Sequence, residues 1–301
     1  MTETAPRRAH SLAELGPLQS LMFRGEEMAS GIAGFRPRPD DVVISPFGKC
    51  GTTWLQQTFH CLRTRGDMDF DDISSVVPWI ETSVALGIDL DAPQRAAPRG
   101  FKSHLAYDAL PVGARCVTAF REPKAALLSM YHFMEGWFFE PGTISLAEFA
   151  QTRLVARPDR PDYWRHLTSW WGQRDNPDVL LLSYEGMTAD PVGNIRRLAA
   201  FCGIPLDDDL LALTLDHSSR GFMLRHKDRV SDPMMRRLSE QRCNLPPDSD
   251  SAKVRAPEGR EALSPEIDAA MDAIWTERVT PKLGFADYAA LEADLRRRQG
   301  A

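Results

Sequence analysis

Lys49, Cys50, Gly51, Thr52 and Thr53 stand in a row at the end of an apolar run, Val42-Val43-Ile44-Ser45-Pro46-Phe47-Gly48, and Trp54 follows them. An apolar run that stops in a loop bearing glycines and a lysine, with a helix opening at the threonines, is the layout of an oxyanion-binding loop. The first N–H groups of such a helix point outward, its dipole favours negative charge, and the Lys49 ammonium adds a full positive charge. Gly48 and Gly51 let the backbone curl and approach a ligand closely. The predicted ligand is a phosphate-like group. Farther along, Lys102 and His104 close a second apolar run, Arg121 follows a third, and Ser129 lies eight positions beyond Arg121. The Arg121 guanidinium is a planar fork suited to bidentate contact with phosphate, and the Ser129 hydroxyl can donate to the same group.

These residues need elements to hold them. Four apolar or β-branched runs are predicted as buried strands: Val42–Ser45, Gly100–His104, Cys116–Phe120 and Val179–Tyr184. Between them lie helical patterns. Thr52–Arg63 places Trp54, Leu55, Thr58, Phe59 and Leu62 on one face, and Pro123–Met134 begins with proline at a first-turn position. Asp190-Pro191 opens a third helix that ends near Gly203, and Ser264-Pro265 a fourth with Ile267, Met271, Ile274 and Trp275 as its core-facing stripe. Alternation of this kind predicts an α/β fold with a mostly parallel central sheet flanked by helices, a frame that binds ligands at the carboxyl ends of its strands. Lys49, His104 and Arg121 all fall at such ends. Asp89–Arg99 and Cys243–Arg260 lack periodicity, and the second is long enough to be a loop or lid.

A Walker-type loop places lysine after its last glycine, whereas Lys49 precedes Gly51. Lys49-Cys50-Gly51-Thr52-Thr53-Trp54 instead resembles the 5′-phosphosulfate loop, commonly Lys-Ser-Gly-Thr-Thr-Trp, of the cytosolic-type sulfotransferases. Four more segments follow in the family's order: Pro78-Trp79-Ile80-Glu81, Lys102-Ser103-His104-Leu105, Arg121-Glu122-Pro123-Lys124 with Ser129-Met130-Tyr131-His132-Phe133, and Tyr184-Glu185-Gly186-Met187. The family's closing Arg-Lys-Gly loop has only a partial counterpart, Lys253-Val254-Arg255-Ala256-Pro257-Glu258-Gly259, with no tryptophan closely following it.

The resemblance implies a P-loop-NTPase-like sulfotransferase fold over residues 1–301, with residues 1–40 contributing to the acceptor side. It implies transfer of a sulfuryl group from 3′-phosphoadenosine 5′-phosphosulfate (PAPS) to a hydroxyl of a small acceptor. Charge builds on the bridging oxygen as its bond to sulfur breaks, and Lys49 is placed to neutralise it. His104 is the expected general base, and Lys102, on the same face, is expected at the sulfuryl oxygens. Cys50, Gly51, Thr52 and Thr53 complete the donor loop, with Cys50 as a Ser-sized residue rather than a nucleophile. Trp54 is expected to stack on adenine and Tyr184 to approach the base or ribose, while His132 is structural. Arg121, Ser129 and either Lys253 or Arg255 are expected at the 3′-phosphate. Phe47, Trp79, Phe133, Trp137, Phe138 and Phe139 flank the acceptor side, which favours an apolar or aromatic alcohol, and residues 134–143 are expected to form a mobile flap over it. Two alternatives stay open: a nucleotide-dependent phosphotransferase with a degenerate loop, needing ATP and magnesium, and a non-catalytic PAPS-binding relative.

Composition narrows the classes. The formal net charge of −6 argues against nucleic acid as the main partner. The start, Met-Thr-Glu-Thr-Ala-Pro-Arg-Arg, lacks a leader pattern, and no apolar run approaches the roughly 20 residues of a membrane helix, so the expected location is cytoplasmic. Five cysteines with no CxxC pair predict reduced, buried thiols, and the seven histidines show no HxxxH or HExxH spacing that would suggest a metal. Nothing decides for or against a homodimer. The basic end, Leu-Arg-Arg-Arg-Gln-Gly-Ala, is predicted to be a frayed tail.

Overall fold

A computed structural model describes residues 5–154, 162–249 and 263–300. Two helices, α1 (Leu12–Met22) and α2 (Gly25–Gly34), precede the strand β1 (Val42–Ile44), and α3 (Thr52–Thr64) follows it. Next come β2 (Gly100–Lys102), β3 (Arg115–Phe120), α4 (Pro123–Met134), α5 (Tyr163–Trp171), β4 (Val179–Ser183), α6 (Tyr184–Ala189) and α7 (Pro191–Cys202). Helices α8 (Pro233–Cys243), α9 (Pro265–Ile274) and α10 (Tyr288–Arg298) close the set that bears on the site.

The four strands run parallel in the order β2-β1-β3-β4, with Ile44 opposite both Lys102 and Val117 and Phe120 opposite Ser183. Successive side chains of a strand face opposite sides, and here both sides are covered. Val43, Phe101, Cys116, Phe120 and Leu181 enter one core, whereas Val42, Ile44, Val117, Ala119 and Leu182 enter the other with Leu55, Phe59 and Leu62 of α3. That explains why these strands read as unbroken apolar runs. At their amino ends, Arg99 donates to both carboxylate oxygens of Asp41, at 2.8 and 2.7 Å, which ties the start of β1 to β2. The chain steps from β1 outward to β2, then returns to the other side of β1 with β3 and β4. Connections thus leave β1 in opposite directions, and the crevice this opens at its carboxyl end is where open α/β sheets take ligands.

Each of the four predicted helices forms. Glu122 caps α4 through its carboxylate and Ala125 N–H, at 2.6 Å, and Asp190 caps α7 through Gly193 N–H, at 2.8 Å. Ile267, Met271 and Trp275 are buried as the stripe predicts. Two expectations are corrected. The basic C-terminal end is not frayed: α10 buries Leu291 and Leu295, Arg298 pairs with Asp294 and Asp175, and Gln299 donates to the Leu181 carbonyl of β4. Residues 134–143 are pinned rather than loose, since Phe138 and Phe139 are 0% exposed and the Ala9 backbone brackets them with bonds to Phe138 and Glu140. Of the predicted lid, Cys243 is the last residue of α8, residues 244–249 are irregular, and residues 250–260 lie outside the described residues. No described helix is long and apolar enough to cross a membrane.

Candidate active site

Between β1 and α3 the backbone turns twice through the left-handed region, at Lys49 (φ 70°) and Gly51 (φ 94°). A non-glycine residue there is uncommon, and the pair curls the loop around Cys50. Gly51 serves as the N-cap of α3, and the first intrahelical bond is Leu55 N–H to Gly51 carbonyl. The N–H groups of Thr52, Thr53 and Trp54 therefore precede the ladder, where a bound anion is stabilised. Cys50 is fully buried, and desolvation pushes its thiol up to about 12, so it is a protonated packing residue. The other four cysteines are also buried and free.

Arg121 leaves β3 at its carboxyl end and comes straight to this loop. It donates to the Lys49 carbonyl at 2.9 Å, and its guanidinium lies over the Tyr184 ring at 4.3 Å. The Tyr184 ring in turn meets Trp54 edge-on at 6.0 Å. Lys49, Trp54, Arg121 and Tyr184 thus converge from four strand and helix ends, and Ser129 sits half-buried on α4. Two buried polar atoms here have no partner within the protein: Thr52 Oγ1 and Arg121 Nε. Buried donors are rarely left so, and both fit the oxyanions of a phosphorylated ligand. Lys253 and Arg255 lie outside the described residues.

His104 follows β2. Its Nδ1 stands 2.7 Å from the Pro46 carbonyl. A carbonyl only accepts, so Nδ1 carries the proton and Nε2 is the basic nitrogen of the neutral ring. Glu81 holds the same residue from behind by accepting His104 N–H at 2.7 Å, and burial raises its carboxyl above the usual range. Trp79 packs edge-on to the imidazole at 5.1 Å.

Lys102 has a different partner from the expected sulfuryl oxygens. Its ammonium is 2.9 Å from Asp232, both side chains are 2% exposed or less, and it lies 4.0 Å from the centre of the Trp79 ring. Direct contact with a substrate oxygen would require it to leave that pair. Lys49, by contrast, reaches over the Phe133 ring at 4.2 Å and is half-exposed.

The aromatic set divides in two. Phe47, Trp79 and Phe133 are half-buried beside the basic residues, and the Phe47 ring meets Tyr163 at 5.5 Å. Trp137 and Phe138 form the layer behind, 4% and 0% exposed, with Trp137 Nε1 donating to Ser239. His132 stands 3.7 Å from Glu135 on the same helix. The partners of these groups were not legible beforehand. Asp232 is 130 positions from Lys102, and Pro46 is 58 positions from His104.

A cavity of about 290 Å³ lies elsewhere, at the amino ends of β3 and β4, lined by Tyr107, Val112, Cys116, Asn176 and Val179. It holds no lysine or arginine and does not suit the anionic ligand.

The sulfotransferase domain family model matches residues 39–233, a span holding all five motif segments. Sulfotransferase 1B1 of dog is 28% identical over 204 residues, covering 64% of this chain and 69% of the relative. Sulfotransferase 1B1 of mouse is 30% identical over 206 residues, covering 64% and 68%. Among solved structures, mouse sulfotransferase SULT7A1 complexed with PAP superposes with a TM-score of 0.63 at 21% identity, over 93% of this chain and 96% of that one. Retinol dehydratase in complex with androsterone and PAP gives a TM-score of 0.68 at 16% identity, over 92% and 96%. The frame of β1 to β4 is thus a shared fold, and the chain, matched over most of its length, belongs to the sulfotransferase family as a PAPS-dependent enzyme of the cytosolic type.

Proposed function

We propose that the protein transfers the sulfuryl group of PAPS to the hydroxyl of a small apolar or aromatic acceptor, with His104 as general base. The observation that carries this reading is the bond from His104 Nδ1–H to the Pro46 carbonyl, which sets Nε2 as the nitrogen that can take a proton. PAPS brings the activated sulfur. The acceptor oxygen attacks it, the bond to the bridging phosphate oxygen breaks with its electron pair, and the acceptor proton passes to Nε2. Lys49 neutralises charge building on the bridging oxygen, a contribution made in the transition state rather than the ground state. Thr52, Thr53 and the start of α3 hold the 5′-phosphate end, assisted by Cys50 and Gly51. Arg121 and Ser129 bind the 3′-phosphate, and Trp54 with Tyr184 flanks the adenosine. Lys102 supports the acceptor wall through the Trp79 face.

The half-buried Phe47, Trp79 and Phe133 supply an apolar wall for the acceptor, backed by Trp137 and Phe138. The packing of Phe23 against Trp79, with ring centres 6.0 Å apart, supports a contribution of residues 1–40 to that wall. Membership of the sulfotransferase family sets aside the phosphotransferase alternative.

The test is a titration with 3′-phosphoadenosine 5′-phosphate (PAP), AMP and ATP with magnesium, followed by turnover with PAPS and a panel of phenols and aliphatic alcohols. PAP is expected to bind most tightly. His104→Ala is expected to lower kcat by about 10²- to 10⁴-fold with PAP affinity unchanged. Unaltered turnover in that variant removes His104 as the base, and absence of turnover in the parent with every acceptor favours a non-catalytic binder.

A further inference from the structure

One peptide group stands at the corner where β3 becomes α4, and both of its polar atoms are held by side chains from distant elements. Its carbonyl, that of Arg121, accepts the Tyr163 hydroxyl of α5 at 2.5 Å. Its N–H, that of Glu122, donates to Glu185 Oε1 of α6 at 3.1 Å. The second oxygen of Glu185 accepts the Tyr288 hydroxyl at 2.7 Å, and Tyr288 opens α10. A peptide plane fixed on both sides has little freedom left about its axis, so the direction in which Arg121 departs from the strand is set by Tyr163, Glu185 and Tyr288 together.

We infer that Tyr163 and Tyr288, the latter acting through Glu185, are positioning residues for Arg121 and hence for recognition of the donor's 3′-phosphate. The inference rests on the assignment of Arg121 to that phosphate. The hydroxyls are not there to titrate: Tyr288 is 7% exposed, and burial drives both phenols far above their ordinary range, so they stay protonated donors. The ring next to Glu185 in sequence, Tyr184, carries the guanidinium on its face. Adjacent residues of one short helix thus govern both ends of Arg121, with Tyr184 under the side chain and Glu185 on the backbone. Tyr288 lies beyond the residues the family model matches, so the inferred clamp draws α10, through Tyr288 and Glu185, into the support of Arg121.

The distinguishing quantity is the ratio of PAP to AMP affinity, since AMP shares the base, the ribose and the 5′-phosphate but lacks the group Arg121 reads. Calorimetric titration of both nucleotides is run on the parent protein and on Tyr288→Phe, Tyr163→Phe and Glu185→Gln, with thermal unfolding alongside. Tyr288→Phe is expected to weaken PAP by about five- to tenfold and leave AMP within about twofold. Glu185→Gln, whose amide still accepts from Glu122 N–H and meets the Tyr288 oxygen, is expected to keep most of the parent ratio. A Tyr288→Phe protein that retains the parent ratio, or loses both nucleotides in parallel, overturns the inference. Should that variant not fold, Tyr163→Phe reads the same ratio from the other side of the peptide, and an unchanged ratio there overturns it equally. A parent protein that binds PAP and AMP alike removes the Arg121 assignment itself, which separates that failure from failure of the clamp.

Discussion

Lys102 and Asp232 show how a single residue's role depends on its partner. A lysine ammonium with 1% of its side chain exposed persists because a carboxylate meets it at 2.9 Å and an aromatic face covers it. Desolvation of two charges offsets much of their attraction, so the pair contributes little net stability, whereas removing one partner strands the other. Asp232→Asn is therefore expected to lower unfolding stability by about 3 kcal/mol in urea titrations. Lys102→Met combined with Asp232→Asn is expected to recover most of that loss, because no buried charge is left uncompensated. If the double variant is no more stable than the single one, the pair is not the source of the effect.

The strand-to-helix corners are the elements that build the proposed donor site, and α3 carries the sharpest demand. Gly51 sits at φ 94°, and a Cβ there would come within 3.3 Å of the Tyr184 ring. Alanine at that position is strained whatever the space around it, and it also presses on the ring that underlies Arg121. Gly51→Ala is expected to reduce PAP affinity by about tenfold, read by calorimetry, with the far-ultraviolet spectrum retained. The sheet makes the complementary contribution. Its parallel register brings Ile44 level with Lys102, so the loops after β1 and β2 emerge at the same height, while β3 runs on past Val117 to Phe120 beside Ser183 of β4.

Acid sensitivity belongs to the whole molecule, because two imidazoles are sealed in its interior. His166 donates to the Ser45 carbonyl at 2.9 Å, and desolvation lowers its pKa to about 4. His60 is lowered to about 4 by burial first and by Arg63 second. In the unfolded chain both return toward about 6.5, so below that pH the unfolded state binds more protons than the folded one. Stability is then fully present above about pH 6.5 and drains as pH falls toward about 4. His166→Gln, which can still donate to Ser45 and carries no charge, is expected to move the midpoint of acid unfolding to lower pH. A midpoint that does not move excludes His166 as a contributor.

Patterning and local chemistry were legible in the chain itself. Unbroken apolar runs marked β1 to β4 because both faces of a parallel strand are covered, and proline, aspartate and glycine marked the ends of α4 and α7 because their preferences act within a few residues. The curled loop proposed for the donor was legible for the same reason, since Lys49 to Trp54 are contiguous. The basic C-terminal end misled, because its charge is visible in the sequence whereas the β4 surface that receives Leu291 and Leu295 is not. What only the tertiary structure decided were relations across long separations: Asp232 against Lys102, the Pro46 carbonyl that selects the His104 tautomer, and Tyr163 and Glu185 on either side of the Arg121 peptide. Such contacts follow from which elements pack together, and no local preference encodes the partner of a buried polar group.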